Sequence, residues 1–77
     1  MNEDIIEFTA YLMENYRRIK NMSGKEVAVF FEDNKLYDFA KRQYDFLHTE
    51  SPEANAITID EFVSNNGRRL HSFPWRK

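Results

Sequence analysis

The residues best placed to do chemistry are Asp45 and His48, three apart in the run Tyr44-Asp45-Phe46-Leu47-His48-Thr49. On a helix that spacing sets both side chains on one face, where a carboxylate can orient an imidazole as in hydrolytic sites. Such a pair needs a nucleophile. The chain has no cysteine, and its serines (Ser23, Ser51, Ser64, Ser72) fall at a cap, a loop, a helix end and the tail. The other reading of the pair is structural, with His48 paired to Asp45 or closing the helix end. The two histidines, His48 and His71, lack the helical HxxxH spacing that a zinc site uses. With glycine only at positions 24 and 67, no glycine-rich loop can cradle a phosphate. These absences point away from an enzyme and call for no cofactor and no metal.

What remains is recognition. Tyr44, Asp45, His48 and Thr49 are more than a helix end needs, and Phe73 and Trp75 supply aromatic anchors in the last residues. These six are the candidate partner-binding residues. The net charge of −2 conceals an asymmetry. Residues 68–77 carry four basic residues and no acid, whereas residues 1–67 carry seven basic against thirteen acidic residues, a net −6. An acidic body repels nucleic acid and favours a basic protein partner.

The elements that must position these residues are helical. Ile5, Phe8, Leu12, Tyr16 and Ile19 recur at spacings of three and four, predicting a first helix over Glu3 to Met22 with this stripe on the core. Asn2 can cap its start, and Glu14 and Arg18 form a favourable pair one turn apart. Ser23-Gly24-Lys25-Glu26 is a capping box that opens a second helix running to about Asp33, with Val27, Phe30 and Phe31 buried. Asp33-Asn34 then breaks the chain and caps a third helix, Lys35 to His48. Its apolar arc takes in Leu36, Tyr37, Phe39, Ala40, Tyr44, Phe46 and Leu47, wider than the ~100° stripe that faces one core. Either neighbours bury that helix on two sides, or one flank, Tyr37 with Tyr44 or Phe39 with Phe46, faces a partner. Gln43 falls inside the arc, where its amide would need partners.

Thr49 to Asn55 reads as a loop with Pro52 as its breaker. Ala56 to Ile59 reads as briefly extended. Thr58 and Glu61 then form a second capping box, opening a short fourth helix of about eight residues that stops at Gly67. Ile59, Phe62 and Val63 close the core. The expectation is an all-α compact bundle of three main helices plus a short fourth. Residues 1–67 form its single domain, and 68–77 form a basic aromatic tail. The tail either folds back over exposed core or docks on a partner.

Seventy-seven residues make one domain, which buries only about 60% of the surface its unfolded chain exposes. The absence of cysteine suits a reducing cytoplasm. The acidic start MNEDIIEF does not read as a signal peptide, and no stretch approaches the ~20 apolar residues of a membrane span.

Three segments together resemble a known family: Ser23-Gly24-Lys25-Glu26, Tyr44-Asp45 followed by Leu47-His48-Thr49, and Ile59-Asp60-Glu61-Phe62. With the long first helix before them, they resemble a family of short uncharacterised bacterial proteins, a domain of unknown function, over roughly residues 5–67. The resemblance implies genes that often lie beside those of toxin-like proteins related to ADP-ribosyltransferases, and hence an antitoxin or accessory partner. It brings no active-site residues. A homodimer is a further reading. So is a DNA-binding regulator built on the second and third helices as a helix-turn-helix. Against it, the Asp33-Asn34-Lys35 turn lacks glycine, and the third helix presents two bases against two acids.

Overall fold

The computed structural model describes residues 3–72, with side chains described through Asn65. Helix α1 spans Glu3–Lys20. It stops two residues short of the expected Met22 because Asn21 turns into the left-handed region at φ 58°. The Met22 amide then donates to the Arg17 carbonyl at 2.8 Å, and the Asn21 amide to that of Arg18 at 3.3 Å. This is a Schellman closure with asparagine in place of glycine. Helix α2, Gly24–Asp33, opens on the expected box. The Glu26 amide donates to Ser23 Oγ at 3.0 Å, and the Ser23 amide to Glu26 Oε1 at 2.8 Å.

The predicted third helix is two helices. Helix α3 spans Leu36–Arg42 and α4 spans Tyr44–Leu47, with Gln43 between them at φ −105° and ψ 19°. The break removes Gln43 from the apolar arc, and its side chain is exposed to water. Asn34 does not cap α3. Its Nδ2 donates back to the Phe30 carbonyl at 2.9 Å and closes α2. Lys35, at φ 59°, turns the chain into α3 without a side-chain cap.

The largest departure is α5, which spans Pro52–Ser72. Pro52 starts this helix instead of interrupting the chain. Proline suits the first helical position, where its missing N–H has no partner to lose. Ser51 caps it, accepting from the Ala54 amide at 3.1 Å. Thr58 and Glu61 therefore lie within the helix and form no capping box, and Gly67 lies within it too. The first residues of the predicted tail thus continue a helix.

The class is all-α, as expected. The core comprises Leu12 and Tyr16 of α1, Val27 and Phe31 of α2, Leu36, Phe39 and Ala40 of α3, Leu47 of α4, and Ala56 and Ile59 of α5. Phe62 closes it by stacking on Phe39 at 4.1 Å between ring centroids. Ile19 departs from the predicted core stripe and is 43% exposed. A polar contact ties α1 to α5. The Tyr16 hydroxyl donates to Asp60 Oδ1 at 2.6 Å, and Lys20 Nζ lies 2.5 Å from Asp60 Oδ2. Burial, with the Asp60 hydrogen bond and charge adding to it, pushes the Tyr16 phenol well above its ordinary range. Asn55 is the exception within the core: it is 2% exposed, and neither atom of its side-chain amide has a partner among the described residues.

No helix among the described residues is long and apolar enough to cross a membrane.

Candidate functional site

The break at Gln43 sets the direction of Tyr44. A continuous helix would carry the tyrosine along the α3 face; instead it begins a new turn against α1. Its ring meets Phe8 edge-on, at 5.3 Å and 89°. Phe8 in turn lies 6.0 Å from Tyr11 on its own helix. On the other side Tyr44 stacks almost parallel to His48, at 4.7 Å and 5°. The result is a row of four rings, Tyr11, Phe8, Tyr44 and His48, running from α1 to α4. Both ends, Tyr11 and His48, are exposed, and Phe8 and Tyr44 are half-buried between them. Phe46, beside the row in sequence, is 51% exposed.

The polar groups of the same run close α4. His48 Nδ1 lies 2.8 Å from the Tyr44 carbonyl. A carbonyl only accepts, so Nδ1 carries the hydrogen and Nε2 is left available to a partner. The Tyr44 carbonyl also accepts the His48 amide at 3.0 Å. Thr49 Oγ1 donates to the Phe46 carbonyl at 2.8 Å, alongside the Thr49 amide at 3.3 Å. His48 and Thr49 thus satisfy carbonyls that a four-residue helix leaves open. This accounts for much of what looked surplus in the sequence.

Asp45 is exposed and makes no hydrogen bond or ion pair among the described residues. The imidazole it was expected to orient is held by a backbone carbonyl instead. Among the described residues no hydroxyl is hydrogen-bonded to His48 either: Ser23 and Ser51 spend their oxygens on helix starts. Among the described residues no three His, Cys, Asp or Glu side chains come together as a metal site would require.

Four of the six candidate residues, Tyr44, Asp45, His48 and Thr49, therefore lie on α4 or directly after it, with only Tyr44 and His48 in side-chain contact. Phe73 and Trp75 lie outside the described residues. Of the two aromatic flanks considered for the third helix, neither stays together. Tyr37 and Phe46 are open to solvent, while Phe39 is 7% exposed and belongs to the core. The sequence reading missed Phe8 and Tyr11 as members of the surface, because their spacing on α1 reads equally well as core stripe and flank.

One family model matches residues 7–66, that of a family described as protein of unknown function (DUF3791). No curated protein matches the chain, and no solved structure does.

Proposed function

We propose, for a chain that belongs to this family of proteins of unknown function, a non-catalytic role in binding another protein. The observation that carries the reading is the ring row Tyr11–Phe8–Tyr44–His48, solvent-exposed at both ends. Aromatic rings held by their neighbours lose little freedom on binding, which suits them as interface anchors. Asp45 and the free Nε2 of His48 add polar groups that a partner can pair.

The net −6 over residues 1–67 supports a partner with a basic surface. In its narrower form the role is that of a bacterial, cytoplasmic antitoxin-like or accessory protein acting on a toxin-like neighbour. That form rests on the resemblance of the three sequence segments, and Phe73 and Trp75 extend the anchor set in it. A DNA-binding role through α3 draws less support. That helix has seven residues, three of them buried, and its Arg42 is paired with Asp38 at 2.8 Å.

The test is a pull-down of the purified neighbouring gene product, using wild type, Tyr44→Ala and Phe73→Ala/Trp75→Ala. Retention by wild type and loss with Tyr44→Ala is the expected result. Undiminished capture by every variant removes these residues from the interface. A salt-sensitive shift of the chain's own upstream DNA, with no protein captured, would replace the reading with DNA binding.

A further inference from the structure

A second exposed apolar feature lies on the opposite flank of α1 from the ring row. Ile5, Ile6, Thr9, Ala10 and Met13 of α1 and Tyr37 of α3 line an open groove of about 270 Å³. Ile6 is 53% exposed and Tyr37 is 43% exposed. The groove is smaller than the ~300–1,000 Å³ usual for a small-molecule site, and it is half open to solvent. It has the form that receives side chains from the face of another element.

Charge says what kind of element. By helical spacing Glu3 and Glu7 stand on the ridge next to Ile6 and Ala10. Both are exposed, and neither has a hydrogen bond or ion pair among the described residues. Glu14, further along that ridge, is neutralised by Arg17 at 2.6 Å and Arg18 at 3.1 Å. No lysine or arginine precedes Arg17 in the chain. Along the other wall, Asp38 is paired with Arg42, and Lys41 follows Tyr37 by one turn. The open negative charge is therefore concentrated at the α1 N-terminal half of the groove.

We propose that the α1–α3 groove docks an amphipathic helix of a partner protein whose apolar stripe is flanked by lysine and arginine, with its more basic end over Glu3 and Glu7. Helix-in-groove recognition reads such a stripe through anchors at i, i+3 or i+4 and i+7, the spacing that Ile6, Ala10 and Met13 present from the other side. The proposal rests on the reading of the chain as an interaction module, but on a different face from Tyr44 and His48.

The test uses the full isotope-labelled chain titrated with a synthetic amphipathic helix of leucine and lysine, and separately with its leucine–glutamate counterpart. Amide shifts confined to Ile5 through Met13 and around Tyr37 are expected. The glutamate peptide should bind about tenfold more weakly or worse. Ile6→Ser should weaken binding of the lysine peptide by about tenfold. Glu3→Gln/Glu7→Gln should weaken it several-fold at low salt and little at high salt. Ile6 is half exposed, so its variant keeps the fold, which circular dichroism checks. Absence of binding, equal binding of both peptides, shifts centred on Tyr11, Tyr44 and His48, or an unchanged affinity in Ile6→Ser would each overturn the proposal. Concentration-dependent shifts at the groove without peptide would also overturn it, assigning the groove to a second copy of the chain. The titration reads Ile5 through Met13 and Tyr37 with a synthetic peptide and needs neither the ring row nor the neighbouring gene product, so failure here and failure of the proposed function are separable.

Discussion

Replacing Tyr16 with phenylalanine isolates the polar contact between α1 and α5. The ring, 4% exposed, keeps its packing against Phe30 and Phe31 in the variant. What is lost is one hydroxyl donating to Asp60 at 2.6 Å. A hydrogen bond to a charged group contributes about 1.5–3 kcal/mol. The Asp60 side chain is 41% exposed and keeps Lys20, so water replaces part of the contact and the lower end, about 1.5 kcal/mol, applies. For a domain of this size that is a fall in Tm of roughly 6–12 °C.

The same phenol gives the contact a pH signature. Its folded pKa is raised above the ordinary value of 10.0 by burial and by Asp60. A raised folded pKa contributes stability below the unfolded pKa that is lost as pH climbs from there toward the folded value. At about pH 11 the unfolded tyrosine is one unit past its pKa while the folded one is still protonated, so wild type loses about 1.4 kcal/mol relative to pH 8. Phenylalanine has nothing to lose. Urea denaturation of both proteins should thus show a gap of about 1.5 kcal/mol at pH 8 that nearly closes by pH 11. A gap that stays constant over that range, or no gap at pH 8, would refute the reasoning.

Three further outcomes follow from the geometry. Asn55→Leu should raise stability by about 1–2 kcal/mol in urea denaturation, since it replaces a buried amide without partners by an apolar group of similar size; a loss of stability would mean the amide is satisfied. Ser51→Ala should cost about 1 kcal/mol as a lost helix cap, whereas Thr58→Ala stays within about 0.5 kcal/mol; the reverse order would restore the helix start to Thr58. Phe31→Ala, at a fully buried ring, should lose about 3–5 kcal/mol, enough to leave a domain of this size largely unfolded by circular dichroism.

Features with one dominant local cause were legible in the chain. The Ser23 box needs only a serine, a glutamate three residues on, and an apolar run behind them. The Leu12 and Tyr16 stripe needs only its period. Pro52 shows where local reading fails. Proline breaks a helix from within but starts one well, and the choice depends on Ser51 capping it and on the stripe Ala56, Ile59, Phe62 and Val63 continuing behind it. Thr58 and Glu61 have the spacing of a capping box, yet mid-helix the amides they would satisfy are already bonded. The Gln43 break has no glycine or proline to announce it; it follows from tertiary packing, which buries Leu36, Phe39 and Ala40 on one side and Leu47 on the other.

The candidate site was half legible for the same reason. Tyr44, Asp45, His48 and Thr49 stood out by type. That His48 and Thr49 bond to carbonyls of their own short helix depends on α4 being a separate turn. Phe8 joins the row only because the break turns Tyr44 toward α1. The exposed groove beside Ile6 was hidden in the sequence, since a half-exposed isoleucine on α1 has the same spacing as a buried one.

The most direct test of the central claim is calorimetric titration of the neighbouring gene product into the wild-type chain and into Tyr44→Ala/His48→Ala. Interaction through the ring row predicts a saturable complex for wild type and an affinity at least about tenfold lower for the variant, the loss expected when a central aromatic anchor is truncated. A wild-type chain that binds no protein, or a variant that binds as tightly as wild type, would contradict the account.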